Sequence, residues 1–528
     1  MLTRHSALRL HDLTLCATST PPTDADSGAA THQYNLVGDA DSYKFSHAGA
    51  YPGGMTRALS YVEDRIGSKF PASLVFGHQY TLKRYCAGVV VTTVKIDAAE
   101  RRMKWHGEPF ARAKWDHIVE VHGGRLPLRI RAVPEGMLVP VGNVLRTIES
   151  TCPDCTWLPS FLETAMLRDW APRAVATQGF YAKLLIAAGL NKSSDNAAAC
   201  LPFALHDFGS RGTTCPEQAG ICGLAHLVNW LGTDTCEALE YAEAFYGATE
   251  GTAYSVPALE HSTVLAWGKG KNLDEALERQ AQCFTHAALR WAGAGFKIGS
   301  FIADTYDVRR TIREQLCGSL YGLVTALHAE HGFRFVARLD SGHPISEMVV
   351  RSLGDFEAAL PKGEIQVNSK GYKVLPAYFR ILQGDGVSIE TIQDIEHAVI
   401  AAGWSTENIA TRGMGGKNLH SGVNRDTQRT AQKPSIVQVG GEWLDVSKHP
   451  VDDPSKASKA GWLDLIRLSD GSLQTVAVEP GTTHPDSVLV TVFENGAVTC
   501  EWTLAEVRAR AEEALQAADS YYPFSGVR

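Results

Sequence analysis

The chain of 528 residues has no apolar run near the roughly 18 residues that a membrane-spanning helix needs. Its nearest approach, Ala288 to Ala303, is interrupted by Arg290 and Lys297 and belongs in a core. Long basic runs are also missing, and the net charge is −8, so neither a membrane protein nor a general nucleic-acid binder is indicated. A local basic pocket for a small phosphorylated substrate remains compatible with an acidic whole. The 11 cysteines are odd in number and scattered, without the density of a secreted disulfide scaffold, and the expected compartment is the cytoplasm. Cys152-Pro-Asp-Cys155 is the sole CxxC. With no second pair at zinc spacing beside it, it is expected to supply structural thiols, and no protein-held metal is predicted.

The length exceeds one ordinary hydrophobic core, so two or more joined domains are expected. Residues 1–33, rich in Ser, Thr, Pro and Ala, read as a disordered tail; Arg4 and Arg9 would suit a transit peptide, but Asp12 argues against one. Leu126 to Val133 alternates apolar and polar residues as a half-buried strand does. Sheet-like sequence returns at Ser435–Val439 and Ser487–Phe493, and Thr503 to Asp519 reads as a helix opened by a Thr503–Glu506 capping box. Residues 34–160 and 430–528 are accordingly assigned to one β-rich accessory domain built from both ends of the chain.

Between them, residues 161–429 show a different rhythm. Short apolar runs end in polar residues: Phe203–Leu205 before His206-Asp207, Ser300–Ala303 before Asp304, Phe333–Ala337 before Arg338, Tyr378–Leu382 before Gln383, and Asn408–Ala410 before a glycine-rich stretch at 411–416. Helical spacing separates them at Leu273–Trp291 and Val308–His328. Strand–helix alternation argues for a parallel α/β sheet, whose strand C-termini are where such enzymes build their sites.

Asp41-Ser-Tyr-Lys44, His206-Asp-Phe-Gly-Ser-Arg-Gly212, Gly232-Thr-Asp-Thr235, Tyr254-Ser-Val-Pro257, Glu260-His-Ser-Thr263 and Asp304-Thr-Tyr-Asp307 occur in that order. Arg338-Leu-Asp-Ser-Gly342, Asn368-Ser-Lys-Gly-Tyr372, Gln383-Gly-Asp-Gly386, Arg425-Asp426 and Lys448-His-Pro-Val451 continue the series. Together they closely resemble the nicotinamide phosphoribosyltransferase family, from about Asp39 to about Ala511. The resemblance implies an irregular α/β barrel beside the β-rich domain. It also implies a homodimer with shared active sites, and transfer of a phosphoribosyl group from phosphoribosyl pyrophosphate to nicotinamide, giving NMN and pyrophosphate.

It further implies roles for individual residues. Phe208 and Tyr43 would sandwich the nicotinamide ring, although a lone Phe at a strand tip is more often core. Asp234 would accept a hydrogen bond from the carboxamide and repel the carboxylate of nicotinate. Arg211 would lie near base and ribose, Arg338 beside the ribose-phosphate, and Asp340 at the ribose hydroxyls, with Ser300 in the same pocket. Gly384, Asp385, Gly415 and Gly416 would admit the 5′-phosphate. Arg65, Arg425, Lys433, Lys448 and Lys456 would surround pyrophosphate and ATP phosphates, and Mg²⁺ would be held mainly by substrate. His261 would be phosphorylated by ATP, with Glu260 or Asp304 as its orienter.

Three positions depart from the pattern: Arg412 within the glycine-rich stretch, Ser210 in place of a Tyr, and Ala431 in place of a hydroxyl residue. A phosphate loop altered at Arg412 would suit a longer donor, ADP-ribose pyrophosphate, yielding NAD directly. A non-catalytic signalling relative and a nicotinate-using enzyme are the further alternatives, opposed by intact His261, Arg338 and Asp340 and by Asp234 respectively.

Overall fold

A computed structural model describes residues 34–452 and 457–521; the tail 1–33 and Lys456 lie outside the described residues. The residues from Leu36 onward form one unit, and Tyr34 and Asn35 precede it. Its first strands are β1 (Met55–Glu63), β2 (Ala72–Leu74), β3 (Leu128–Ala132), β4 (Leu138–Pro140) and β5 (Val144–Ser150). In β3 the predicted alternation is realised: Leu128, Ile130 and Ala132 are buried and Arg129 and Arg131 only half so.

Eight strands follow in the middle of the chain: β6 (Leu205–Phe208), β7 (Gly232–Thr233), β8 (Ile298–Ile302), β9 (Arg334–Leu339), the small pair β10 (Gln366–Val367) and β11 (Lys373–Val374), β12 (Phe379–Gln383) and β13 (Ile409–Gly415). The C-terminal part contributes β14 (Ala431–Val439), β15 (Glu442–Asp445), β16 (Trp462–Arg467), β17 (Leu473–Val478), β18 (Val490–Glu494) and β19 (Ala497–Val498).

Two sheets dominate. The antiparallel one runs β15-β14-β1-β5-β3-β18-β19, so both ends of the chain build it. The other is parallel, in the order β7-β6-β13-β12-β9-β8. Its two edges are joined by one extended segment: Tyr254 bridges to Gly232 of β7, and Ala258 bridges to Ser300 of β8. This seam closes the sheet into an irregular α/β barrel. Helices Leu273–Gly293, Tyr321–His331, Ile345–Ala359 and Ile389–Ala401 cover it, and Phe301 stacks on Phe335 at 4.6 Å in the core between strands and helices.

The helix Leu273–Gly293 follows the predicted spacing, with Asn272 as its cap. The segment from Val308 onward is helical but uneven: Thr311–Ser319 widens into π-type turns before Tyr321–His331 resumes. The last helix opens as expected, with Thr503 and Glu506 exchanging backbone and side-chain hydrogen bonds. Among the described residues, no helix is long and apolar enough to cross a membrane.

Candidate active site

Side chains on a strand alternate between faces, and in the barrel that parity decides what the interior holds. His206 and Phe208 of β6, Ser300 of β8, Val336 and Arg338 of β9, Leu382 of β12 and Thr411 of β13 all line one interior cavity of about 590 Å³. A second cavity of about 580 Å³ lies over the strand ends and shares Phe208, Asp234 and Arg338 with the first. Both fall in the size range of small-molecule sites. Ser300 Oγ, Arg338 Nε and Thr411 Oγ1 are buried polar atoms without a hydrogen-bond partner in the chain, as expected of groups reserved for a polar ligand.

Phe208 stands at the junction. A Cβ on Gly413 would sit 2.1 Å from its ring, so the ring lies directly on the backbone of β13. The Arg338 guanidinium lies 5.1 Å from the ring centroid, a cation–π arrangement. The turn beyond Phe208 is fixed from beneath by buried Asp207, which accepts hydrogen bonds from Gly209 N at 2.7 Å and His420 Nε2 at 2.9 Å. Burial would raise the Asp207 carboxyl, but the His420 bond and charge outweigh it and lower it.

Asp234, just past β7, takes two hydrogen bonds on the same oxygen, Oδ1: from His206 Nε2 at 2.8 Å and from Ser255 Oγ at 2.6 Å. Burial pushes its carboxyl up, but His206 and Ser255 prevail and hold it below the usual carboxylate range. A fixed, ionised carboxylate therefore faces the space beside the Phe208 ring.

The second cavity gathers Arg211, His261, Arg338, Asp340, Gly384, Asp385 and Gly415. Arg338 Nη2 donates to Asp340 Oδ1 at 3.0 Å. A Cβ on Gly384 would stand 2.6 Å from Asp340 Oδ1 and 3.0 Å from Arg338 Nε, so a larger residue at the tip of β12 would have to displace this pair. Gly415 has open space around it, whereas Gly416 is packed on Gly212, whose Cα would lie 2.6 Å from an added Cβ. Gly416 thus joins two turns rather than lining the cavity. His261 opens a short helix, and its Nε2 lies 3.1 Å from Oδ1 of buried Asp304. Glu260 instead accepts from Ser262 Oγ, which leaves Asp304 as the orienter of the imidazole.

Of the remaining candidates, Arg65, Lys433 and Lys448 gather at the antiparallel sheet. Lys433 on β14 feels Arg65, Lys44 and Lys448 as neighbouring charges; burial first, then these cations, lower its ammonium against the pull of Glu163. Arg65 Nε and Nη2 are buried without hydrogen-bond partners, Nε lying 3.6 Å from Glu63 Oε1, and Lys44 pairs with Glu163 at 2.5 Å. Arg425 is half-exposed and pairs with Asp426 at 3.0 Å. Tyr43 is 55% exposed. None of Tyr43, Arg65, Arg425, Lys433 and Lys448 lines either cavity of this single chain.

Arg412 is a correction. The stretch 411–416 is strand through Gly415 rather than a phosphate loop, and Arg412 is fully buried, ion-paired with Glu396 of the helix Ile389–Ala401. It faces away from the cavity that Thr411 lines, so it provides no support for a longer donor. Ser210 donates to Glu237 at 3.1 Å, and Ala431 is buried at the start of β14. Missed by sequence reasoning were His206, Ser255 and His420 as positioning groups and Lys44 as a member of the basic group; His206, Ser255 and Lys44 lay inside recognised motifs without an assigned role.

An aromatic ring platform, an ionised carboxylate and an Arg–Asp pair beside a glycine tip thus converge on two adjoining cavities at the strand ends. The sequence profile of the nicotinate phosphoribosyltransferase (NAPRTase) family matches residues 203–497, and that of the nicotinamide phosphoribosyltransferase N-terminal domain matches residues 35–130. The chain is 42% identical over 484 residues to a nicotinamide phosphoribosyltransferase of Xanthomonas campestris pv. campestris, covering 91% of this chain and 98% of that protein. A nicotinamide phosphoribosyltransferase of Acinetobacter baylyi is 29% identical over 416 residues, 76% of this chain and 79% of its own length. Among solved structures, a nicotinate-nucleotide pyrophosphorylase from Pyrococcus furiosus (TM-score 0.56, 14% identity, 92% and 95% coverage) and human nicotinic acid phosphoribosyltransferase (TM-score 0.50, 14%, 90% and 93%) share the fold. The chain belongs to the nicotinate phosphoribosyltransferase family and is a phosphoribosyltransferase.

Proposed function

We propose that this enzyme transfers the 5-phosphoribosyl group from phosphoribosyl pyrophosphate to nicotinamide, giving NMN and pyrophosphate for NAD salvage. The observation that carries the choice of base is Asp234. Its carboxylate, held ionised by His206 and Ser255 through Oδ1, leaves Oδ2 to accept from a carboxamide N–H and repels a carboxylate at the same place. The pyridine ring stacks on Phe208, worth about 1 kcal/mol beyond burial. Asp340, steadied by Arg338, holds the ribose hydroxyls and faces the positive charge that develops on the sugar as pyrophosphate departs.

The cavity's oxygen ligands, Asp340 and Asp385, suit Mg²⁺ carried in on the donor, where it would neutralise the leaving pyrophosphate. ATP acts as a coupling substrate through His261. With Nε2 turned to Asp304, the lone pair falls on Nδ1, which takes the γ-phosphoryl group of ATP as the β–γ bond breaks and ADP leaves. Tyr43 and the basic residues Arg65, Arg425, Lys433 and Lys448 complete the site from the second subunit of a homodimer. In support, neither half of the machinery is complete within one chain. The ten described cysteines are all free thiols, which suits a cytoplasmic enzyme.

The test is competition. Equimolar nicotinamide and nicotinate are offered with phosphoribosyl pyrophosphate, and the products are separated by mass. NMN in large excess supports the reading; nicotinate mononucleotide in excess overturns it.

A further inference from the structure

We propose that His117, His122, Cys152 and Cys155 form a structural zinc site. Among the described residues, these four bring one ligand atom each to within 4.8 Å of one another. Cys152 Sγ lies 3.5 Å from His117 Nε2. Zn–S bonds of about 2.3 Å and Zn–N bonds of about 2.0 Å at a tetrahedral angle place sulfur and nitrogen ligands roughly 3.6 Å apart. The observed edge already has the length that a bound ion would impose.

The chain prepares the site from two directions. The helix Arg112–His122 supplies both histidines, spaced H-x₄-H, with their rings 5.6 Å apart and inclined by 70°. The turn after β5 supplies both cysteines. There Cys155 N donates to Cys152 O at 3.0 Å, and Ser150 Oγ bonds Cys152 O at 2.8 Å, so the turn is formed by its own hydrogen bonds. Trp115 and Trp157, edge-to-face at 4.8 Å, pack helix and turn onto a common aromatic floor. Both thiols are buried, at 7% and 0% exposure. His122 Nε2 is buried with no hydrogen-bond partner in the chain, an orphan that a metal–nitrogen bond would satisfy.

Two thiolates and two imidazoles in a tetrahedral set select zinc over magnesium or calcium, which take oxygen ligands. Binding displaces the two thiol protons to solvent and uses neutral imidazoles. Four protein ligands leave no open position, and none of the four lines either cavity, so the ion is structural. It would pin the helix Arg112–His122 to the end of the antiparallel sheet. The sequence held both pairs, but the histidines precede the cysteines by some thirty residues, and only the fold brings them together.

The test uses the full chain without an affinity tag, dialysed and analysed by elemental mass spectrometry. One zinc per chain is expected, lost in the Cys152→Ser/Cys155→Ser double variant; chelation should lower Tm, and Zn²⁺ but not Mg²⁺ should restore it. Cobalt(II) added to the metal-stripped wild type should give the visible bands of a tetrahedral thiolate site, a reading that stands even where the double variant fails to fold. Zinc far below one per chain, zinc retained by the double variant, a native Cys152–Cys155 disulfide, or a cobalt spectrum without thiolate bands overturns the proposal.

Discussion

Replacing Asp234 by Asn removes one charge while keeping an oxygen for His206 Nε2 and Ser255 Oγ, the two donors on Oδ1. The pocket keeps its shape, but the group facing the base becomes an amide. A lost hydrogen bond to a desolvated partner costs roughly 1–3 kcal/mol, about 5- to 150-fold in kcat/KM. The side chain is 46% exposed, which places the expected loss for nicotinamide in the lower half of that range. Nicotinate should gain at the same time, because the repulsion is gone and the Asn N–H can donate to its carboxylate. Steady-state rates with each base at saturating donor measure both effects. The wild-type carboxyl is held below its usual range, so discrimination should persist as pH falls from neutral to the ordinary carboxylate region and fail only below it. Unchanged nicotinamide kinetics together with no gain for nicotinate would refute the role given to Asp234.

Phe208→Ala should raise KM for the base with little change in Tm. Gly413→Ala should reproduce that loss, because its Cβ would fall 2.1 Å from the ring; unfolding of Phe208→Ala in a denaturant series would mark the ring as core instead. His261→Ala should lose an acid-labile phosphate label and ATP stimulation while retaining uncoupled NMN synthesis; a persisting label would identify another acceptor. Arg412→Ala leaves the buried Glu396 without its cation, a cost of about 3–5 kcal/mol by chemical denaturation, without any change in donor preference. Burial raises the Glu135 carboxyl to about 7, above its unfolded value, so its contribution to stability is complete at acid pH and lost as pH rises through neutrality. Glu135→Gln should flatten that slope in Tm measured from pH 5 to pH 8.

The family and the barrel were legible because the site sits at strand tips. Each apolar run ended in residues whose order along the chain survives without knowledge of their arrangement. The parity of β13 was legible too, yet went unread: with Thr411 facing the cavity, the neighbouring Arg412 had to face the helices. What the sequence hid were contacts between distant segments. His420 reaches Asp207 across 213 positions, and Ser255 reaches Asp234 from the irregular seam that closes the barrel. Periodicity carries no information about such pairs, because they depend on how separate elements dock.

The central claim is that this family member joins nicotinamide to a phosphoribosyl group. It is tested most directly by incubating the purified enzyme with nicotinamide and Mg²⁺, supplying either phosphoribosyl pyrophosphate or ADP-ribose pyrophosphate as donor, and resolving the products by mass. The account predicts NMN from the first donor and no NAD from the second, whose one sequence argument fell when Arg412 proved locked to Glu396 behind the cavity. NAD formed from ADP-ribose pyrophosphate, or no NMN from phosphoribosyl pyrophosphate, would contradict it.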